Sequence, residues 1–204
     1  MPGRRDHPPR REQPIEARLE RHLARMAGSA AYFGFQWNAA PVHAAVAAAA
    51  GARPAGTWRL RLLVAMDGVA SVDCTPHAAG EARVWHVAFA NVPVDADDPF
   101  LRNKTTRRDT YEVARRARPD VDDVLLWNGR EEVTESTIAN VVAEIDAVRY
   151  TPPAGCGLLP GVFRAELLES GTIRERVLTK ADIAGASRVW LVNSLREWID
   201  AALV

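Results

Sequence analysis

The chain has 204 residues, with 26 lysines and arginines against 26 aspartates and glutamates, so its net charge predicts neither a nucleic-acid partner nor a membrane surface. With 48% hydrophobic residues it can bury a core, which excludes a wholly disordered chain, and its length allows one large domain or two small ones. No apolar run reaches the roughly 18 residues of a membrane span. Only Lys104 and Lys180 are lysines, so chemistry that needs an amine has two candidates.

The first residues and the two cysteines both indicate a cytoplasmic protein. Residues 1–14 carry arginines and prolines but no apolar core, which predicts a flexible tail rather than a secretion signal. Cys74 and Cys156 are far apart in the chain and are expected to stay free thiols in a reducing compartment.

Two helices and several strands are predicted in the first hundred residues. Apolar residues recur at steps of four and three between Leu19 and Phe33, which is typical of an amphipathic helix. Alternation over Trp58–Val64, followed by an Asp67-Gly68 turn, predicts a β-hairpin. The other predicted elements of this half are an alanine-rich helix at Val42–Gly51 and strands at Val69–Val72 and Arg83–Ala90.

The second half alternates strands with two helices. A helix is predicted at Arg107–Arg118, and a Pro160-Gly161 start predicts another that runs through Glu169. An Asn128-Gly129 turn is expected to pair a strand at Asp122–Trp127 with a strand at Ile138–Ile145. Further strands are predicted at Val148–Thr151, Thr172–Leu178 and Arg188–Val192, and Leu195–Leu203 is ambiguous.

This order of elements predicts an α+β fold of two packed subdomains that meet near residues 95–105. The expected division is a tail at residues 1–14, a small α/β subdomain at residues 15–98 and a large subdomain at residues 99–204.

A search for common catalytic motifs excludes several kinds of site. Cys74-x-x-His77 is half of a zinc site at most, so no metal is predicted. The glycines near Gly161 do not form a dinucleotide-binding fingerprint, and no Gly-x-Ser-x-Gly elbow occurs.

Four segments of the second half instead share one pattern: a lysine loop, an apolar strand, a Glu-x-Ser/Thr-x-x-Asn motif and a glycine-rich helix start ending in Gly-Val-Phe-Arg. They are Phe100–Thr106, Val124–Asn128, Val133–Asn140 and Gly157–Arg164. The pattern resembles the class IV aminotransferase family, the fold-type IV pyridoxal-phosphate (PLP) enzymes, and most closely its aminodeoxychorismate lyase branch.

The resemblance implies PLP as cofactor and assigns a role to six residues. The amine of Lys104 would bond to the aldehyde carbon of PLP and act on the substrate's proton, whereas Lys180 is expected to be an ordinary exposed side chain. Glu135 would face the pyridine nitrogen and keep it protonated. The phosphate would be bound by the side chain of Arg25, the backbone N–H groups of Val162 and Phe163, and the hydroxyl of Ser194.

The sequence differs from the family pattern at its N-terminus and at three single positions. The first long helix begins near Ile15, where family members carry strands first, so the N-terminal subdomain is expected to be shortened. Asn103 replaces a histidine common in fused lyases, and Arg149 stands at a usually apolar position. Phe163 stands where transaminases often carry a phosphate-binding threonine, which favours the lyase branch.

Three functions follow from the resemblance. The first is a homodimeric lyase of folate precursor synthesis, which converts 4-amino-4-deoxychorismate to 4-aminobenzoate and pyruvate. The second is a class IV transaminase of branched-chain or D-amino acids, and the third is a non-catalytic relative that keeps the fold. Arg107 and Arg108 are candidates for binding the substrate carboxylates.

Overall fold

The computed structural model describes residues 15–53, 55–78 and 83–204, so the predicted tail at residues 1–14 lies outside the described residues. Residue contacts divide the chain into two compact units, one at residues 14–81 and one that includes residues 82–204. This division differs from the expected boundary at residues 98 and 99. The reason is that Trp85–Phe89 forms a strand between two strands of the larger unit.

The smaller unit combines two helices with one hairpin, as the sequence predicts. Strands β1 (Trp58–Val64) and β2 (Ala70–Pro76) pair in antiparallel register, and the turn between them contains Gly68 at a φ of 85°. Asn38 caps the second helix, because its side-chain oxygen accepts a hydrogen bond from the backbone N–H of Ala40. The helices are α1 (Ile15–Phe33) and α2 (Ala39–Gly51), and α2 packs against β2.

The larger unit is built on one eight-stranded sheet. Its strands follow the order β5-β4-β3-β10-β9-β6-β7-β8, and an added pairing of β5 with β6 closes six of them into a ring. Glu135 and Asn140 are the paired residues at this closure. The strands are β3 (Trp85–Phe89), β4 (Asp123–Trp127), β5 (Val133–Ser136), β6 (Asn140–Ile145), β7 (Val148–Thr151), β8 (Arg174–Glu175), β9 (Arg188–Asn193) and β10 (Glu197–Leu203).

Two of the predicted strand assignments in this unit are wrong. The strand that returns after the Asn128-Gly129 turn to pair with β4 is β5, not the Ile138–Ile145 segment, most of which forms β6 and pairs with β9. The strand predicted at Thr172–Leu178 shortens to the two residues of β8. The ambiguous C-terminal segment forms β10, which lies between β9 and β3 in the sheet.

The helices of the larger unit are short and lie between strands. Helix α6 was not predicted, although Thr179 and Asp182 form a capping box at its start. The helices predicted at Arg107–Arg118 and from Pro160-Gly161 are confirmed as α4 and α5. The helices are α3 (Pro99–Arg102), α4 (Asp109–Ala117), α5 (Val162–Glu169) and α6 (Lys180–Gly185).

Three apolar clusters make up the buried core of the larger unit. One contains Leu125, Val141 and Leu191 from the strand ring, and another joins Tyr111 of α4 to Leu126 of β4. The third joins α5 to β9 through side chains that include Phe163 and Trp190. Burial of these apolar faces holds the helix starts and strand ends in fixed positions.

Within the three described ranges of the chain, no helix is long and apolar enough to cross a membrane. The same residues contain no group of three or more histidine, cysteine, aspartate or glutamate side chains that could hold a metal ion.

Candidate active site

Glu135 is the centre of a buried polar cluster at the closure of the strand ring. It lies on β5, and only 4% of its surface is exposed. The hydroxyl of Tyr111 donates to Oε1 over 2.7 Å, and the backbone N–H of Leu159 donates to the same oxygen over 3.1 Å. The side-chain amide of Asn140 donates to Oε2 over 3.3 Å. Three neutral donors therefore hold one buried carboxylate.

The electrostatics of this carboxylate differ from those of a paired surface acid. Burial raises the pKa of Glu135 to about 7. The hydrogen bonds from Tyr111 and Leu159 and the charges of Lys104 and Arg108 lower that pKa in part, because they favour the ionised form. A desolvated carboxylate whose hydrogen-bond donors are neutral is stabilised when a cationic group binds beside it.

Lys104, the predicted catalytic lysine, interacts electrostatically with Glu135. It lies in the loop between α3 and α4, its side chain is exposed, and its charge acts on Glu135. The backbone before it is fixed, because the backbone N–H and the side-chain amide of Asn103 both donate to the carbonyl of Pro99, over 3.0 and 3.1 Å. The predicted lysine therefore lies within electrostatic range of the predicted carboxylate.

Lys180, the second lysine, has a structural role. Its Nζ lies 3.0 Å from the ring centroid of Trp127 and 3.2 Å from Oε2 of Glu131. The prediction of an ordinary exposed side chain is thus wrong, because an indole ring and a carboxylate hold this ammonium group.

The segment that leads into α5 contacts the Glu135 cluster through Asn140. The amide of Asn140 donates to the carbonyl of Leu159 over 2.8 Å, in addition to its bond to Glu135. A Cβ added to Gly161 would lie 2.2 Å from Oδ1 of Asn140, so a side chain there would force the two apart. Glycine is therefore required at this position for a close approach rather than for an unusual backbone angle.

The start of α5 has the features of an anion site. Gly161 is its N-cap residue and offers no side-chain cap, so the cap provides no acceptor for the N–H groups of the first turn. The predicted phosphate-binding residues Val162 and Phe163 are the first two residues of this helix. Backbone N–H groups and the positive end of the helix dipole favour an anion at such a position.

Ser194 directly follows β9, the strand that contacts both α5 and Asn140. It is half-buried in the turn between β9 and β10, and the backbone N–H groups of Leu195 and Arg196 donate to Oδ1 of Asn193 in that turn. Helix α5 packs against β9, and Asn140 pairs with Val192 of the same strand. The role of Ser194 as a phosphate ligand stays a prediction.

Arg25 belongs to the smaller unit. It is half-buried on α1, where its Nη2 lies 3.3 Å from Nδ1 of His22. Its contact with a phosphate stays a prediction.

Tyr111 is a site residue that the sequence prediction does not contain. Burial and the charge of Glu135 raise its pKa, so it remains a hydroxyl that donates to that carboxylate. The guanidinium carbon of Arg108 lies 4.5 Å from the centre of the tyrosine ring, and Nη2 of Arg108 donates to the carbonyl of Thr137 over 2.5 Å. The signal available in the sequence was a tyrosine on the predicted helix that follows the candidate lysine.

The two arginines predicted to bind substrate carboxylates lie beside this tyrosine. Arg107, Arg108 and Tyr111 line one cavity together with Phe100 and Leu101. The guanidinium carbon of Arg107 lies 4.3 Å from the ring centre of Phe100. The position of both arginines is compatible with the predicted role, which itself stays a prediction.

Comparison with known proteins gives matches along nearly the whole chain. The family model described as "Amino-transferase class IV" matches residues 10–204. A Schizosaccharomyces pombe protein named "Putative aminodeoxychorismate lyase" is 30% identical over 200 residues, which is 91% of this chain and 84% of that protein.

Solved structures are similar in fold. A structure described as a "Putative amino-acid aminotransferase" from Mesorhizobium loti is 41% identical, with 92% of each chain covered and a TM-score of 0.84. The PLP-bound form of a hypothetical aminotransferase from Mycobacterium tuberculosis has a TM-score of 0.77 over 91% of this chain and 75% of its own, at 24% identity, which is a likeness of fold. These matches confirm the predicted α+β fold of type IV.

Proposed function

The chain belongs to the class IV aminotransferase family of PLP-dependent enzymes, and from this premise we propose that it is the lyase that converts 4-amino-4-deoxychorismate to 4-aminobenzoate and pyruvate. The observation that carries the proposal is the buried Glu135 carboxylate within electrostatic range of Lys104. The lyase reaction is supported further by the relative named as an aminodeoxychorismate lyase and by Phe163 at the position of the transaminase threonine.

The residues of the larger unit fit PLP at three points. Glu135 is a buried carboxylate held by neutral donors, which suits a protonated pyridine nitrogen. Gly161 brings a helix start without a side-chain cap against Asn140, which suits a phosphate. Lys104 offers an amine within electrostatic reach of Glu135, which suits the aldehyde.

Each of these residues has a defined task in the proposed reaction. When bound, the cofactor supplies an electron-withdrawing ring that acidifies the substrate carbon bearing the amine. Nζ of Lys104 removes the proton from that carbon. The enolpyruvyl group then leaves with the electrons of its C–O bond, which completes the aromatic ring, and protonation of the enol gives pyruvate.

The proposed task of Glu135 is to stabilise a positive charge at the pyridine nitrogen of the cofactor. It holds a proton at the ring nitrogen, and the donors Tyr111 and Leu159 keep its carboxylate in place. Lys104 and Glu135 thus act at opposite ends of the reacting system, one moving a proton and one holding a proton.

A transaminase is the second candidate, and one observation favours it. The Mesorhizobium loti structure is more similar in sequence than the lyase relative and is described as an amino-acid aminotransferase. The same lysine and carboxylate serve transamination, so these residues do not separate the two reactions.

A turnover assay separates the candidates. The full chain loaded with PLP should release 4-aminobenzoate and pyruvate in equal amounts from 4-amino-4-deoxychorismate, and Lys104→Ala should release neither. Transamination of valine or D-alanine without 4-aminobenzoate release would contradict the lyase proposal. A wild type that neither turns over any of these substrates nor binds PLP would indicate the non-catalytic relative.

A further inference from the structure

Asn140 connects the parts of the proposed cofactor site. It is 3% exposed and begins β6, where its backbone pairs with Glu135 on one side and with Val192 of β9 on the other. Its side-chain amide donates to Oε2 of Glu135 over 3.3 Å and to the carbonyl of Leu159 over 2.8 Å. One side chain therefore joins the carboxylate to the segment that enters α5.

The side-chain oxygen of Asn140 limits how closely the start of α5 can approach β6. Oδ1 of Asn140 would lie 2.2 Å from a Cβ on Gly161, and both amide hydrogens of Asn140 are directed at fixed acceptors. Leu159 adds a second connection, because its N–H donates to Oε1 of Glu135 over 3.1 Å. The start of α5 is thus fixed relative to Glu135 by two hydrogen bonds of Leu159, one to Glu135 and one from Asn140, and by the close approach of Gly161 to Asn140.

We infer that Asn140 is a positioning residue that fixes the distance between the Glu135 carboxylate and the start of α5, so that the ring and the phosphate of PLP bind cooperatively. The inference rests on the proposed cofactor site. PLP is a small, stiff molecule whose ring nitrogen and phosphate are held a nearly constant distance apart. Two protein groups that bind its two ends reinforce one another only when their own separation is fixed.

The chemistry of an amide explains why asparagine suits this position. The side chain donates two hydrogen bonds, which an ionised aspartate cannot do because its oxygens only accept. Aspartate would also add a negative charge next to Glu135, whose pKa is already raised by burial.

Asn128 provides a matched control. It is also buried, and its amide also donates to a glutamate and to a backbone carbonyl, over 2.7 Å to Glu132 and 2.9 Å to Cys156. None of the proposed PLP-binding residues is among its hydrogen-bond partners. Asn128→Asp should therefore damage the fold in the same way without changing the cofactor site.

Gly161→Ala tests the same contact from the other side. The φ of Gly161 is −67°, which alanine adopts readily, so the substitution strains no backbone angle and its one overly close contact is with Asn140. Gly155→Ala is its control, because a Cβ on Gly155 meets nothing within 4 Å.

The experiment compares the affinity of the full chain for PLP and for pyridoxal, which lacks the phosphate. Dissociation constants come from the absorption band of the bound aldehyde. The ratio of the two constants measures what the phosphate adds and cancels any change in ring binding that both ligands share. Thermal unfolding midpoints of every variant report on general damage.

In the wild type we expect pyridoxal to bind at least about 100-fold more weakly than PLP. Asn140→Asp and Gly161→Ala should each reduce this ratio by about tenfold or more, and Asn128→Asp and Gly155→Ala should leave it within about twofold. If Asn140→Asp does not fold, the Gly161→Ala ratio decides alone.

An unchanged ratio in Asn140→Asp and Gly161→Ala would overturn the inference, even if both ligands bind more weakly. An equal fall in Asn128→Asp would also overturn it, since the effect would then be general. A wild type that binds neither ligand would instead refute the proposed cofactor site, and with it the inference.

Discussion

Glu132 and Glu135 lie three residues apart in the chain, one before β5 and one on it, yet their surroundings are opposite. The side chain of Glu132 is 18% exposed and accepts hydrogen bonds from Nε and Nη2 of Arg130 over 3.0 and 2.7 Å. The bonds from Arg130 and Asn128 lower the pKa of Glu132 to about 2. Glu135 is almost fully buried and bonded to neutral donors, and its pKa is raised to about 7.

This difference distinguishes Glu132, which stabilises the fold, from Glu135, which is available to bind a cationic ligand. An arginine satisfies Glu132 within the chain, so nothing further is gained by binding a cation there. Glu135 has been taken out of water without such a partner, which costs folding free energy and leaves an attraction for a cationic ligand. Both acids are held by a buried asparagine, so the partner that differs is the cation.

Replacing each acid by glutamine should give the largest contrast. Glu135→Gln should lower turnover by about 100-fold or more, because a neutral amide does not hold the proton at the ring nitrogen. Glu132→Gln should leave turnover within about twofold and cost about 1 kcal/mol of stability, since its partner arginine is mostly exposed. The measurements are kcat/KM and urea unfolding of both variants. Equal losses of turnover would remove the distinction between the two acids.

The pH dependence of stability should have opposite sign at the two acids. The folded-state pKa of Glu135 is raised from 4.5 to about 7, so the stability associated with this group is fully present below pH 4.5 and is lost as pH rises through 7. The loss amounts to about 3 kcal/mol at most. The folded-state pKa of Glu132 is lowered to about 2, so its contribution is present above pH 4.5 and is lost as pH falls towards 2.

Urea unfolding of the cofactor-free chain between pH 4 and 8 measures the first of these effects. The wild type should lose stability between pH 5 and 8 more steeply than Glu135→Gln. Parallel curves for the two proteins would show that the pKa of Glu135 is not raised in the folded chain.

Tyr111→Phe should produce a smaller effect of the same kind. The variant keeps the ring but removes the hydroxyl that donates to Oε1 of Glu135 over 2.7 Å. Because that hydrogen bond lowers the pKa of Glu135, its removal raises this pKa further. We expect about a tenfold loss of turnover and a cost of about 1–2 kcal/mol in stability. The pH profile of kcat/KM should shift to higher pH on its acid limb, and an unshifted profile would show that the tyrosine does not act through Glu135.

The sequence allowed prediction of the site residues that belong to short local patterns. Lys104 and Glu135 each lie in a motif, and the Pro160-Gly161 start of α5 follows from the backbone preferences of those two residues. The bond between Tyr111 and Glu135 joins residues 24 positions apart, and no local pattern encodes it.

The predictions failed where long-range pairing decides the structure. The expected subdomain boundary overlooked that Trp85–Phe89 pairs with two strands from far along the chain. The β5–β6 closure, which places Asn140 beside Glu135, depends on the register of the whole ring. A hydrophobic pattern indicates that a segment is a strand without specifying its neighbour.

The central claim is that Lys104 and Glu135 form one PLP site, and the visible spectrum of the full chain with added PLP tests it most directly. The wild type and Lys180→Ala should both show the absorption band of covalently bound cofactor, because Lys180 is held by Trp127 and Glu131. Lys104→Ala should lack the band, and Glu135→Gln should shift it, because the ring loses its charged partner. Absence of the band in the wild type, or its persistence in Lys104→Ala, would contradict the account.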